Sequence, residues 1–107
     1  MSMFNQREES FENTFVHEEE LHFLAEARRN KLLGLWAVEQ LGASGRAATA
    51  YVEELVTAVT ATNADDVVIN RVMKDFAVAG VRQSEHQIRR HMDEFLAQAA
   101  SEIRSGM

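Results

Sequence analysis

Apolar residues recur along most of this chain at the three- and four-residue intervals of a single helix face. In "AATAYVEELVTAVT" the stripe is Ala48, Tyr51, Val52, Leu55, Val56 and Val59, and Ser44 stands as an N-cap after a break at Gly42. In "ADDVVINRVMKDFAVAG" it is Ile69, Val72, Met73, Phe76 and Ala77. Asn63 or Asp65 can cap that helix, and Gly80 can end it. In "SEHQIRRHMDEFLAQAASEI" it is Ile88, Met92, Phe95, Leu96, Ala99 and Ile103. Ser84 with Gln87 reads there as a capping box, and Glu85, Arg89 and Asp93 form a charge ladder on the outer face. A further helix over about 19–41 ends at Gly42. Leu21, Leu24, Ala25, Leu32, Leu35 and Trp36 can line one side of it, broadened by Leu33 and Leu41, so the other three helices are expected to enclose it. Gly34 weakens this helix and predicts the close approach of a neighbour. Trp36 is expected as a core anchor.

Short links make successive helices antiparallel neighbours. The fold class predicted is therefore all-α: a small four-helix bundle with helices over about 19–41, 45–62, 65–79 and 84–105. Residues 1–18 differ. Phe4, Phe11 and Phe15 make a narrow stripe on an otherwise polar, acidic segment, too sparse to hold a helix down by itself. The pattern allows a terminal helix packed loosely on the bundle. It equally allows an arm that folds into a partner's groove with the phenylalanines as anchors. Two units follow, an arm (1–18) and a bundle (19–107).

Composition narrows the chemistry. A length of 107 residues suits one small domain, and the absence of cysteine removes disulfides and thiol chemistry. The N-terminus has no apolar signal region, and no apolar run approaches the roughly 18 residues of a membrane span. A cytoplasmic protein is expected. The net charge is −6, concentrated in residues 1–27, whereas "RRNK" at 28–31 is basic. An acidic chain is a poor partner for nucleic acid, whose affinity comes from basic groups on phosphates.

"HEEELH" at 17–22 invites comparison with a zinc helix, which needs histidines four apart on one face. His17 and His22 are five apart, as are His86 and His91. That offset is about 140° around a helix, so both pairs are expected as solvated or capping groups rather than metal ligands. No phosphate loop, dinucleotide fingerprint or nucleophile elbow is present. Exposed glutamates stay ionised and cannot serve as general acids, so no catalytic residue is assigned and an enzyme is not expected. Arg28, Arg29 and Lys31 could hold a phosphate or a carboxylate, although a solvated basic patch explains them as well.

The string "FNQREESFENTFVHEEELHFLAEARRNKLLGLWAVEQLG" closely resembles the zeta subunit of alpha-proteobacterial F-type ATP synthases. The resemblance is carried by R-E-x-x-F-E at Arg7–Glu12, H-E-E-E-L at His17–Leu21, A-R-R-N-K-L-L-G-L-W-A at Ala27–Ala37 and L-G-x-S-G at Leu41–Gly45. Later "DFAVAGV" and "SEHQIRRHMDEFLAQA" match as well, so essentially the whole chain is covered. The resemblance implies a four-helix bundle with a mobile N-terminal segment that becomes helical. That segment wedges into a catalytic α/β interface of the ATPase head, near the central stalk, and blocks rotation in the hydrolysis direction. Phe4, Phe11 and Phe15 would be its anchors, with Arg7, Glu8 and Glu12 in polar contact. Weak ADP or ATP binding at Arg28, Arg29 and Lys31 would also follow, and the isolated protein would be a monomer. Two departures stand out. The link "VTATNADDVV" lacks the Phe, Pro and Gly common in the family, and His91 replaces a more usual Lys. The rival readings are a nucleotide-binding regulator of another target, a non-inhibitory accessory subunit and a metal-dependent hydrolase.

Overall fold

A computed structural model describes the backbone of residues 3–106 and the side chains of residues 18–106. Four helices follow in order: α1 (Met3–Leu41), α2 (Gly45–Thr57), α3 (Ala64–Ala79) and α4 (Glu85–Arg104). A 3-10 turn over Ala58–Thr60 continues α2. No strand occurs among the described residues, and none of their helices is long and apolar enough to cross a membrane. The backbone of α1 includes the segment expected as the arm. The side chains of Phe4, Arg7, Glu8, Phe11, Glu12, Phe15 and His17 lie outside the described residues.

The helix ends follow local chemistry. At Gly42 (φ 69°) and Gly80 (φ 72°) the chain turns left-handed, which a residue without Cβ does at little cost. Each glycine then closes a Schellman pair. Ala43 N–H donates to Val38 O and Gly42 N–H to Glu39 O; Val81 N–H donates to Phe76 O and Gly80 N–H to Ala77 O. The capping box of α4 is formed in both directions, Gln87 N–H to Ser84 Oγ and Ser84 N–H to Gln87 Oε1. Ser44 and Asn63 occupy N-cap positions, but neither side chain makes a capping bond.

The core is built from Leu33, Ala37, Leu55, Val68, Ile69, Val72, Phe76, Ile88 and Met92. Burying each large member stabilises the fold by about 1.5–3 kcal/mol. Trp36 meets Phe76 edge-on, with ring centroids 5.4 Å apart, and packs against this cluster as expected of an anchor. Gly34 sits where α2 crosses α1. A Cβ there would lie 3.1 Å from Val52 Cα, so the neighbour anticipated for this glycine is Val52.

α1 runs antiparallel to α4, with Trp36 beside His91 and Arg28 beside Glu102. Two expectations for α1 fail. Leu24 and Leu35 are about half exposed rather than inward. They lie eleven residues apart, hence on one helix face, and that face points away from the core. Ala25 and Leu33 are buried as expected, and the residues that complete their row are Arg29 and Ala37, joined by Asn30 and Val38. The expected second helix also stops early, at Thr57 rather than 62.

Candidate functional site

The basic cluster is divided by the fold. Arg29 is 4% exposed, with Nη2 2.7 Å from Asp65 Oδ1 at the start of α3. Its Nε and Nη2 also donate to Asn30 Oδ1. Asn30, wholly buried, donates through Nδ2 to Leu55 O at 2.9 Å. One α1 turn therefore clamps the last turn of α2 and the first turn of α3. The Asp65 carboxylate and the Asn30 amide oxygen offset the desolvation that a buried guanidinium would otherwise suffer. Arg28 is half-buried and reaches Glu102 of α4 at 3.4 Å. Lys31 is exposed, beside an apolar groove between α1 and α2. The three cations thus point to three different surroundings rather than to one phosphate cradle.

Asp65 and Asp66, in the link that departs from the resemblance, both have cationic partners. Asp65 holds Arg29, and Asp66 lies 3.4 Å from Arg89. Arg89 also meets Glu85, so the charge ladder of α4 forms on that side, with Asp66 as the second carboxylate.

The histidines are separated as well. His22 pairs with Glu26 one turn on, and His86 is exposed in the first turn of α4. His91 departs from the expectation of a solvated or capping group. Its ring stacks on Trp36 at 4.1 Å and lies 5.9 Å from Phe95. Among the described residues no three His, Asp or Glu side chains gather as a metal would require.

Among the described residues, Tyr51 is the one acid with a clear structural perturbation. Its hydroxyl is buried without a hydrogen bond of good geometry. Burial raises the phenol above its ordinary range, and the Asp75 carboxylate pushes it the same way. Arg71 lies 5.0 Å over the ring and bonds Glu54 and Asp75, a closed surface network rather than an acid poised for catalysis.

Two grooves flank α1. The larger, about 550 Å³, is lined by Leu35, Val38, Val52 and Val56 with Lys31 and Glu53 at its edge. The second, about 480 Å³, runs between α1 and the end of α4, lined by Leu21, Ala25, Leu96, Ala100 and Ile103. Beyond these grooves on α1, Phe23 is 48% and Leu24 51% exposed. The sequence carried a signal for Phe23 that stripe-reading passed over: it lies two residues from Leu21 and from Ala25, about 160° away around the helix.

These features define a small all-α bundle protein that carries apolar surface on one long helix. The chain belongs to the ATPase inhibitor subunit zeta family, whose family model matches residues 1–102. A search of curated proteins found no match. The family is one of regulatory inhibitor subunits, in line with the resemblance in the sequence.

Proposed function

We propose that this protein inhibits ATP hydrolysis by an F-type ATP synthase, with residues 1–18 as the inhibitory element. The observation that carries the proposal is the family match, which spans that segment together with the bundle. In this reading the arm wedges as a helix into a catalytic α/β interface beside the central stalk. Phe4, Phe11 and Phe15 are its buried anchors, and Arg7, Glu8 and Glu12 make polar contacts. The wedge stops rotation in the hydrolysis direction while the bundle stays outside, on the cytoplasmic face of the membrane. Two structural features support the division. The α1 backbone is helical from Met3, the form a wedge requires. Arg104, the last residue of α4, lines the same groove as Glu18 and Leu21, so α4 ends level with the proposed boundary. Aromatic anchors are the side chains best suited to offset the ordering cost of such a segment.

The test is ATP hydrolysis by the cognate ATPase head with three additions: the full chain, the full chain carrying Phe11→Ala, and a chain starting at Glu18. The full chain should inhibit. Phe11→Ala should weaken inhibition by about 2–4 kcal/mol of binding free energy, as loss of a central aromatic anchor does, and the shortened chain should not inhibit. Equal inhibition by all three would move the inhibitory element into the bundle, and no inhibition by any would end the proposal.

A further inference from the structure

Phe23 and Leu24 stand next to one another on α1, each about half exposed. Phe23 faces away from α4, which lies on the Leu21 and Ala25 side of this helix, and Leu24 lies next to it on the face that Leu35 continues. Carboxylates surround them. Glu19 and Glu26 lie one turn before and after Phe23, and Glu20 lies one turn before Leu24, the spacing at which helix side chains become surface neighbours. Glu18, Glu19 and Glu20 are exposed. Shallow depressions of about 400 Å³ and 390 Å³ open beside Phe23, lined by these same glutamates and His22. His22 lies against Glu26, and the patch as a whole is acidic.

Apolar side chains rimmed by one sign of charge fit a partner surface of opposite sign with an apolar pocket at its centre. We propose that the Phe23–Leu24 patch is a second docking point, taking a protein surface that offers an apolar pocket rimmed by Lys and Arg. Charge decides among the occupants. A second copy related by two-fold symmetry would set glutamate against glutamate around the paired phenylalanines. An anionic membrane or a nucleic acid would repel the same rim. The proposal rests on the inhibitor reading only in placing that basic pocket on the ATPase head. Phe23 lies eight residues, about 12 Å of helix axis, beyond Phe15, so one partner can engage both. The arm would then block rotation, while the patch adds affinity and fixes the angle at which α1 enters.

The experiment compares full-length wild type with Phe23→Ser/Leu24→Ser, Glu19→Lys/Glu20→Lys and Phe11→Ala. It measures the Kd for the cognate ATPase head at low and high salt, and inhibition at saturating protein. Trp36 fluorescence checks folding. The apolar double variant should raise Kd about tenfold while still inhibiting fully at saturation. The charge variant, which leaves the apolar pair in place, should also bind more weakly and lose part of the salt dependence. Unchanged Kd in both variants overturns the docking point and leaves the arm reading intact. Weaker binding by the patch variants, with Phe11→Ala inhibiting normally, upholds the docking point and overturns the arm. A wild-type dimer dissolved by Phe23→Ser/Leu24→Ser would identify a second copy as the occupant and overturn the proposal. So would a wild-type chain that does not bind the head.

Discussion

Two neighbouring stretches of α1 invert the usual rule of what goes inside. In residues 18–26 a phenylalanine and a leucine are half exposed; in residues 29–38 an arginine and an asparagine are buried. Residue type does not explain the difference, but the number of neighbouring helices does. α2, α3 and α4 all close around the later stretch, through Val52 on Gly34, Phe76 on Trp36 and His91 on Trp36. The earlier stretch lies level with the end of α4, which covers one side of it. An arginine is tolerated inside because Asp65 and Asn30 satisfy it. Phe23 and Leu24 stay half exposed beside the side that α4 covers, and even in the later stretch Leu35, on the Leu24 face, is 48% exposed.

That contrast can be broken experimentally, starting with the largest effect. Leu33→Ala should cost about 2–5 kcal/mol of stability, as cavity-forming core substitutions do. Leu24→Ala on the same helix should stay within about 0.5 kcal/mol. Urea unfolding followed by the single tryptophan measures both, and comparable losses would mean that the open stretch is packed after all. Asn30→Leu keeps the volume but strips Arg29 of an acceptor and Leu55 O of a donor, so a loss of about 1–3 kcal/mol is expected. Unchanged stability there would make the clamp incidental.

The smallest effect concerns Tyr51, the only tyrosine. Its phenolate absorbance in the folded protein should titrate above the ordinary value near pH 10, and at that value once unfolded. Folding favours the neutral phenol. This contribution is therefore complete below about pH 10 and is lost as pH rises through the folded-state value. Coincident folded and unfolded midpoints would show that α2 leaves the ring wet.

Much of this arrangement was legible beforehand, for reasons that differ by position. The stripes of α3 and α4 could be read because each of these helices buries one face: Ile69, Val72 and Phe76, then Ile88, Met92 and Ala99, are all inside, whereas Ala77, at the end of the expected α3 stripe, is exposed. Val68, equally buried, was missed as the flank of that face. The glycine stops and the Ser84–Gln87 box were legible because their chemistry is local. α1 was legible as a helix and illegible as a surface. Apolar residues occur around most of its circumference, so periodicity could not choose between Leu24 and Ala25, or between Leu35 and Leu33. The surroundings of the basic cluster were illegible for the same reason: adjacent cations are 100° apart on a helix, and Arg28, Arg29 and Lys31 lie by Glu102, Asp65 and an apolar groove respectively.

Read alone, the sequence was enough to show that this chain is helical, where α3 and α4 begin and end, and which family it joins. Each of these depends on residues close together in the chain or on a pattern shared along it. Packing settled the rest: Arg29 and Asn30 go inside, His91 stacks on Trp36, and Phe23 and Leu24 stay half exposed. Burial is a property of what arrives from elsewhere in the chain, and here the arriving groups are Asp65, the carbonyl of Leu55, the rings of α3 and α4, and the end of α4 at Arg104.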